Sequence, residues 1–249
     1  MAISEVCGLN FPNEVDPTPY DSINRAVAGF ANPNADTSAE RQNTWFAFAS
    51  AWNGLAYRLI SAGEYHDLFI DSIKKSTSPP ADERFRQEKY LFGFSMSALS
   101  AIECGFMAAY AAGSALFPEQ FLLLEDRDLN KYPKPIANTY LGWRNDDPLS
   151  STLFCIANSV EIKALEDFRN ALSHRGVLPR KSFLGNAFDQ PAAIPANPKV
   201  LASKFDYSDD LGPHITSRHY IWTCSALNSF LIAFDGFCAR HEQNPRNSS

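Results

Sequence analysis

One stretch of the chain is long, apolar and almost uncharged, and it limits the possible folds more than any other feature. From Leu91 to Phe117 the only charged residue is Glu103. As a helix, a stretch of this length would span a bilayer. It also contains four serines and three glycines, which suit a helix packed closely among other helices. We therefore expect a buried central helix in a soluble protein, with a membrane-spanning helix as the alternative.

The lone carboxylate of this stretch, Glu103, needs a partner, because burying an unpaired charge is costly. Arg169 is a candidate partner from another helix. Alternatively, Glu103 is an interior residue that hydroxyl groups hold or that carries a proton. The sequence leaves both possibilities open.

The overall composition is that of a folded protein with little affinity for bulk nucleic acid. Hydrophobic residues make up 45% of the chain and charged residues 20%, which is enough to build a core. The formal net charge is -6. Coating nucleic acid non-specifically requires many lysine and arginine contacts to phosphates, so the charge argues against it. A small site for one RNA phosphate remains compatible with it.

The cysteines and the start of the chain indicate a reducing compartment. The five cysteines are widely spaced, and they form no C-x-x-C pair. We interpret them as small buried hydrophobic residues rather than a disulfide framework. The first residues have neither the basic segment nor the apolar run of a signal peptide. We therefore expect a cytoplasmic protein.

Apolar residues recur at helical spacing along most of the chain, and strand patterns are weak. The pattern predicts an all-α bundle of four to five long helices. The predicted helices run from Thr37 or Ser38 to Gly63, Glu64 to Lys75, Asp82 to about Leu116, Ser150 or Ser151 to Gly176, and His214 or Thr216 to His241. A short helix at Glu119–Glu125 and then a loop with three prolines fill the gap up to residue 149.

Proline-rich segments define the predicted boundaries around these helices. Residues 1–36 are interpreted as an irregular N-terminal arm, and residues 37–243 as a single helical domain. Within that domain, residues 177–212 form a long loop before the last helix; loops of this length are often functional. Residues 244–249 are expected to be a frayed tail.

The common motifs for cofactors and metals are absent from the sequence. There is no glycine-rich phosphate loop and no H-E-x-x-H motif. His214 and His219 are five residues apart, which places them off a shared helix face, so they are a poor metal pair. We therefore expect neither a metal nor a cofactor.

One group of residues carries chemistry, and it closes the helix that ends at Gly176. Asn170 and His174 are four residues apart, so they lie about 40° from each other around the axis. Arg169 lies about 100° from Asn170 by the same geometry. Arginine binds phosphate oxygens with a planar fork, and histidine moves protons near neutral pH. These residue types suit phosphodiester cleavage without a metal.

A simpler explanation also fits this segment. Arg175 and His174 would interact with the negative end of the helix dipole, and Arg169 would pair with Glu166 or with another acid. Residue types alone favour this explanation, because arginine and histidine are common near helix ends.

The segment Arg169-Asn170-Ala171-Leu172-Ser173-His174 resembles the R-N-x-x-x-H signature of the HEPN family. In that family the signature ends a helix of a four-helix bundle, and the surrounding sequence FRNALSHRG is also similar. By architecture the resemblance extends over residues 38–241, and it implies a HEPN-like helical bundle. No subfamily follows from it.

The resemblance implies a metal-independent endoribonuclease that works as a homodimer, with two motif helices facing a shared cleft. Arg169 would bind or polarise the scissile phosphate, His174 would be the general acid or base, and Asn170 would support both. Apart from the resemblance, Glu103 is a candidate supporting residue, because a lone buried carboxylate needs a partner. The basic residues that follow the motif would flank the RNA backbone, although such charges are more often a solvated surface; they are Arg175, Arg180 and Lys181.

Two kinds of partner follow from the family. Many HEPN ribonucleases are toxins or defence effectors that an antitoxin or regulatory protein restrains. Other HEPN proteins have lost catalysis and serve as dimerisation or regulatory modules that bind a protein or a nucleotide. Both functions remain open on the sequence alone.

Overall fold

The computed structural model describes residues 10–31, 39–74, 80–123, 131–174 and 213–242, with the side chains of 39–42, 174, 213 and 242 outside that description. This part of the chain contains helices and no strands, which confirms the all-α prediction. The helices are α1 (Thr18–Phe30), α2 (Ala39–Ile73), α3 (Ala81–Leu116), α4 (Pro133–Trp143), α5 (Pro148–Ala157), α6 (Val160–His174) and α7 (Pro213–Glu242). Three of these helices have 30 residues or more, not four to five.

A close antiparallel contact between α2 and α3 builds the centre of the bundle. Gly54 of α2 lies against the side chain of Cys104, and Gly93 of α3 lies against the ring of Tyr65. A Cβ at either glycine would stand within 3 Å of these neighbours, at 2.9 and 2.7 Å respectively. The missing side chains therefore let the two helices approach closely.

Helix α3 is the central helix that the apolar stretch predicts. It packs against α1, α2, α4, α6 and α7. Two helices, α3 and the His214–His241 part of α7, are long and apolar enough to cross a membrane by length and composition. Most of the apolar stretch of each helix is buried in the bundle, 67% of it for α3 and 56% for α7. A helix buried in the core of a bundle passes the same test of length and composition, so the described residues are compatible with a soluble protein.

Several prolines that we interpreted as helix breakers instead begin helices. Residues 18–30 of the predicted irregular arm form α1, which has Pro19 in its first turn. Similarly, α4 starts at Pro133 and α5 at Pro148, inside the segment predicted as a loop up to residue 149. Proline suits the first turn, because the N–H that it lacks has no partner within the helix there. The predictions of an irregular arm and of a loop are therefore wrong for these residues.

Two further boundaries differ from the predictions. Helix α2 continues through Gly63 to Ile73, because Gly63 is a point of close approach to Pro12 and Tyr220 rather than a helix end. The helix predicted from Ser150 or Ser151 to Gly176 is two helices. At the break the side chain of Asn158 donates to the carbonyl of Phe154, and Ser159 donates to that of Ile156. Such bonds compete with the helical backbone pattern.

Other predicted segments lie partly or wholly outside the described residues. Residues 118–121 form a turn where a helix was predicted at Glu119–Glu125. The loop at 177–212 and the tail at 244–249 lie outside the described part of the chain. The last helix is confirmed, since α7 runs from Pro213 to Glu242.

Gly113 should be far less tolerant of a side chain than Gly142. A Cβ at Gly113 would lie 2.8 Å from the Tyr140 hydroxyl and 3.0 Å from the ring of Phe121, and both rings are fully buried. The Tyr140 hydroxyl is also fixed by donating to the carbonyl of Ala109 over 2.6 Å. We expect Gly113→Ala to lower the free energy of unfolding by about 1–3 kcal/mol through overpacking, as measured by urea denaturation.

The control is Gly142→Ala in α4, where nothing lies within 4 Å of the added Cβ. Helix propensity alone should then raise the free energy of unfolding by up to about 1 kcal/mol. Equal effects of the two substitutions would contradict the close approach of α4 to α3.

Candidate functional site

The helix that carries the motif begins at a serine cap and docks through one apolar face. The hydroxyl of Ser159 accepts a hydrogen bond from the backbone N–H of Ile162 over 3.2 Å, which satisfies a free donor at the start of α6. Residues at helical spacing then form a buried face against α3 and α7. They are Ile162, Leu165, Phe168 and Ala171. This confirms the predicted amphipathic helix and fixes the orientation of the residues beside that face.

Arg169 is half-buried at the contact between α6 and α3. Its Nε–H is buried and has no hydrogen-bond partner among the described residues. Leaving a buried donor unpaired costs roughly 1–3 kcal/mol, more for a charged group. Arg169 therefore has a buried donor that the described residues leave unsatisfied.

Glu103 on α3 lies near enough to Arg169 on α6 for the positive charge of the guanidinium to act on its carboxyl. Burial raises the pKa of its carboxyl, the positive charge of Arg169 lowers it, and Glu166 raises it again. The net result is a pKa above the ordinary 4.5, because burial is the largest of these effects. The carboxyl is half-buried, so it is not sealed from solvent.

The acids on α6 itself are paired with a lysine rather than with the arginine. Lys163 Nζ lies 2.9 Å from Asp167 and 3.8 Å from Glu166. The simpler explanation proposes an ion pair between Arg169 and Glu166. In the structure, Glu166 is instead paired with Lys163. Glu166 still acts on the α3 side, where its charge reaches Glu103.

The end of α6 is held against α3 by a contact of Ser173, whose hydroxyl donates to the sulfur of Met96 over 3.7 Å. Asn170 is half-buried one turn earlier. Helix α6 ends at His174, whose side chain lies outside the described residues. Arg169 and His174 are five residues apart, which is about 140° of helical rotation. A phosphate shared by both would have to lie around the end of the helix.

The three basic residues proposed to flank the RNA backbone lie outside the described part of the chain. They are Arg175, Arg180 and Lys181. The structure thus brings together Arg169 and Glu103 from two helices, with Asn170 on the same helix as Arg169.

A histidine that the sequence interpretation considered only as a metal ligand packs beside the motif. The imidazole of His219 stacks on Phe168, with 5.4 Å between ring centroids and 19° between ring planes. Burial lowers the pKa of His219 to about 4, and Arg218 adds to this effect. His219 is therefore a neutral packing residue at pH 7. His219 lies four residues before the buried Thr223, which places both on the same face of the helix. This spacing is the signal that could have identified His219 as a packing residue.

The thiols and acids of the described residues suggest no other catalytic centre. Burial raises the pKa of Cys104, and it raises the pKa of Cys224 to about 11. Both thiols therefore stay protonated and weakly nucleophilic near pH 7. Within the described ranges, no group of three or more histidines, cysteines or acids is placed to hold a metal ion.

Comparison with known proteins adds no family assignment. No family model, curated protein or solved structure matches the chain. The HEPN resemblance therefore depends on Arg169, Asn170 and His174 and on the helical architecture.

Acidification should destabilise the helix contact at His219. The pKa of His219 is low in the folded protein and near 6.5 in the unfolded chain, so the unfolded chain binds more protons. Its contribution to stability is complete above pH 6.5 and is lost as the pH falls towards 4. We expect His219→Phe to retain the stacking on Phe168 and to reduce the loss of unfolding free energy over this pH range by roughly 1–3 kcal/mol.

The measurement is urea denaturation at several pH values between 4 and 7. His214→Phe, at an exposed position of the same helix, is the matched control and should leave the pH dependence as in the parent protein. Identical pH dependence in His219→Phe and the parent would contradict a neutral, buried His219.

Proposed function

We propose that this protein is a metal-independent endoribonuclease of the HEPN type. The observation that carries the proposal is the unpaired, buried Nε–H of Arg169 on the helix that ends with the R-N-x-x-x-H signature. A cationic Nε–H that finds no partner among the described residues suits an anionic ligand, and the planar guanidinium matches a phosphate. The HEPN resemblance supplies the substrate class, which is RNA.

In the proposed reaction, Arg169 binds a non-bridging oxygen of the scissile phosphate and stabilises the charge that builds up at phosphorus. The ribose 2′-oxygen loses its proton and attacks the phosphorus, and the bond to the 5′-oxygen breaks. His174 transfers a proton, either from the 2′-hydroxyl or to the 5′-oxygen. Asn170 orients the imidazole or holds a phosphate oxygen. The products are a 2′,3′-cyclic phosphate and a 5′-hydroxyl.

The proposed enzyme is a homodimer in the cytoplasm. The motif provides one histidine per protomer, whereas the reaction removes one proton and delivers another on opposite sides of the phosphate. Two motif helices that face one cleft would supply two histidines. The net charge of -6 supports recognition of a specific RNA over general RNA binding. Such an activity would require restraint by an antitoxin or another regulatory protein.

The purified protein should cleave RNA in the presence of EDTA, and both motif side chains should be required. We expect His174→Ala to lower the cleavage rate at least about 100-fold, because proton transfer by a positioned group contributes about 10²–10⁴-fold. Arg169→Ala should have a similar effect through loss of charge stabilisation. Rates are measured on a labelled RNA by gel electrophoresis, at equal concentrations of folded protein.

Arg25→Ala removes an exposed arginine on α1 and is the matched control, which should cleave at the parent rate. Equal cleavage by the parent protein and His174→Ala would show a contaminating nuclease and overturn the proposal.

A second candidate function is a non-catalytic HEPN-like module that dimerises or binds a protein or nucleotide partner. The acidic surroundings of Arg169 favour it, because Glu103 and Glu166 lie near the position where a phosphate would bind. Like-charge repulsion would weaken RNA binding there. This function predicts no RNA cleavage under any condition. It also predicts that Arg169→Ala changes the monomer–dimer equilibrium, as measured by the mass of the protein in analytical ultracentrifugation. A monomeric parent protein that cleaves no RNA would contradict both candidate functions.

A further inference from the structure

The proposed reaction needs two proton-transfer groups, and the signature provides only one in each protomer. We propose that Glu103, rather than the histidine of a second motif helix, is the other proton-transfer group of the cleavage site. This inference rests on the proposed ribonuclease function. It assigns Glu103 a direct chemical role, whereas its position in the apolar stretch predicts only a supporting residue.

The geometry of the contact between α3 and α6 supports this role. The two helices run antiparallel, since Met96 contacts Ser173 while Glu103, further along α3, lies opposite the earlier Arg169. The carboxyl of Glu103 therefore lies within range of the charge of the guanidinium that would hold the phosphate. Because Glu103 is half-buried, it remains open to a substrate on one side.

The position of Glu103 in the sequence makes a purely structural role expensive. It is the only charged residue between Leu91 and Phe117, a stretch of α3 that is mostly buried and packs against other helices. A carboxylate in such a helix loses hydration without gaining stability over an apolar residue of similar size. The unpaired Nε–H of Arg169 adds a second unfavourable feature at the same contact. Paired costs of this kind are typical of catalytic sites.

The electrostatics of the contact suit a proton acceptor. Burial and Glu166 raise the pKa of Glu103, and Arg169 limits the rise. A carboxylate with a raised pKa is a better base than an ordinary one. Arg169 would therefore act both on the phosphate and on the base.

The proton balance of the step is complete with these residues. The Glu103 carboxylate takes the proton of the ribose 2′-hydroxyl, and the 2′-oxygen forms its bond to phosphorus. The bond between phosphorus and the 5′-oxygen breaks, and the His174 imidazolium gives its proton to that oxygen. Glu103 ends protonated and His174 ends neutral. Exchange of one proton each with water restores the site, and no oxidant, reductant or metal is needed.

The test is the pH dependence of the RNA cleavage rate in EDTA for three forms of the full-length protein. The parent should show a bell-shaped profile. Activity rises with pH as the Glu103 carboxyl, whose pKa lies above its ordinary value, loses its proton, and it falls at higher pH as the proton donor is lost. Glu103→Gln should lose the acidic limb, and its maximum rate should fall about 100-fold.

Glu166→Gln is the matched variant, and it keeps the inference testable if Glu103→Gln does not fold. It removes the charge that raises the pKa of Glu103 but leaves the carboxyl of Glu103 in place. Its acidic limb should move to lower pH, with a maximum rate close to that of the parent. A purely structural role for Glu103 gives no reason for this shift.

The possible outcomes separate the two proposals. Two results would overturn the role of Glu103 and leave the ribonuclease proposal standing, provided that cleavage requires His174. One is a pH profile of Glu103→Gln that keeps its acidic limb. The other is a pH profile of Glu166→Gln whose acidic limb does not move. The absence of any cleavage that depends on His174 overturns both. A missing limb in the first variant together with a shifted limb in the second supports the assignment of Glu103.

Discussion

The close approach of α2 and α3 is the constraint on which the rest of the structure depends. Glycines at the contact, such as Gly54 and Gly93, remove the side chains that would hold the two helices apart. This tight pair makes α3 the centre of the bundle, and the shorter helices and α7 pack around it. The apolar composition of α3 follows from that position, because its face is covered by protein on most sides.

The same arrangement creates the candidate site. Helix α6 buries its apolar face by docking on α3 and α7, and this docking brings Arg169 near Glu103, the only charged residue between Leu91 and Phe117. Two ionisable groups held together at a partly buried contact interact more strongly than on an open surface. The contact is therefore a compromise between packing and chemistry, with an unpaired donor on one side and a carboxyl of raised pKa on the other.

The sequence was sufficient for features that depend on helical periodicity and insufficient for those that depend on contacts between helices. The central helix, the apolar face of α6 and the last helix all follow from spacing along one helix. Pro19 and Pro133 were misjudged, because a proline breaks a helix interior but favours its first turn, and composition does not separate the two. The stacking of His219 on Phe168 joins two helices, so no local pattern fixes it.

The most direct measurement of the central claim is the chemistry of the RNA ends left after cleavage in EDTA. Attack by the 2′-oxygen, with Arg169 at the phosphate and proton transfer by side chains, predicts a 2′,3′-cyclic phosphate on one fragment and a 5′-hydroxyl on the other. Mass spectrometry of the fragments distinguishes these ends from others. Fragments with a 3′-hydroxyl and a 5′-phosphate would instead indicate attack by water, and would contradict the site described for Arg169 and His174.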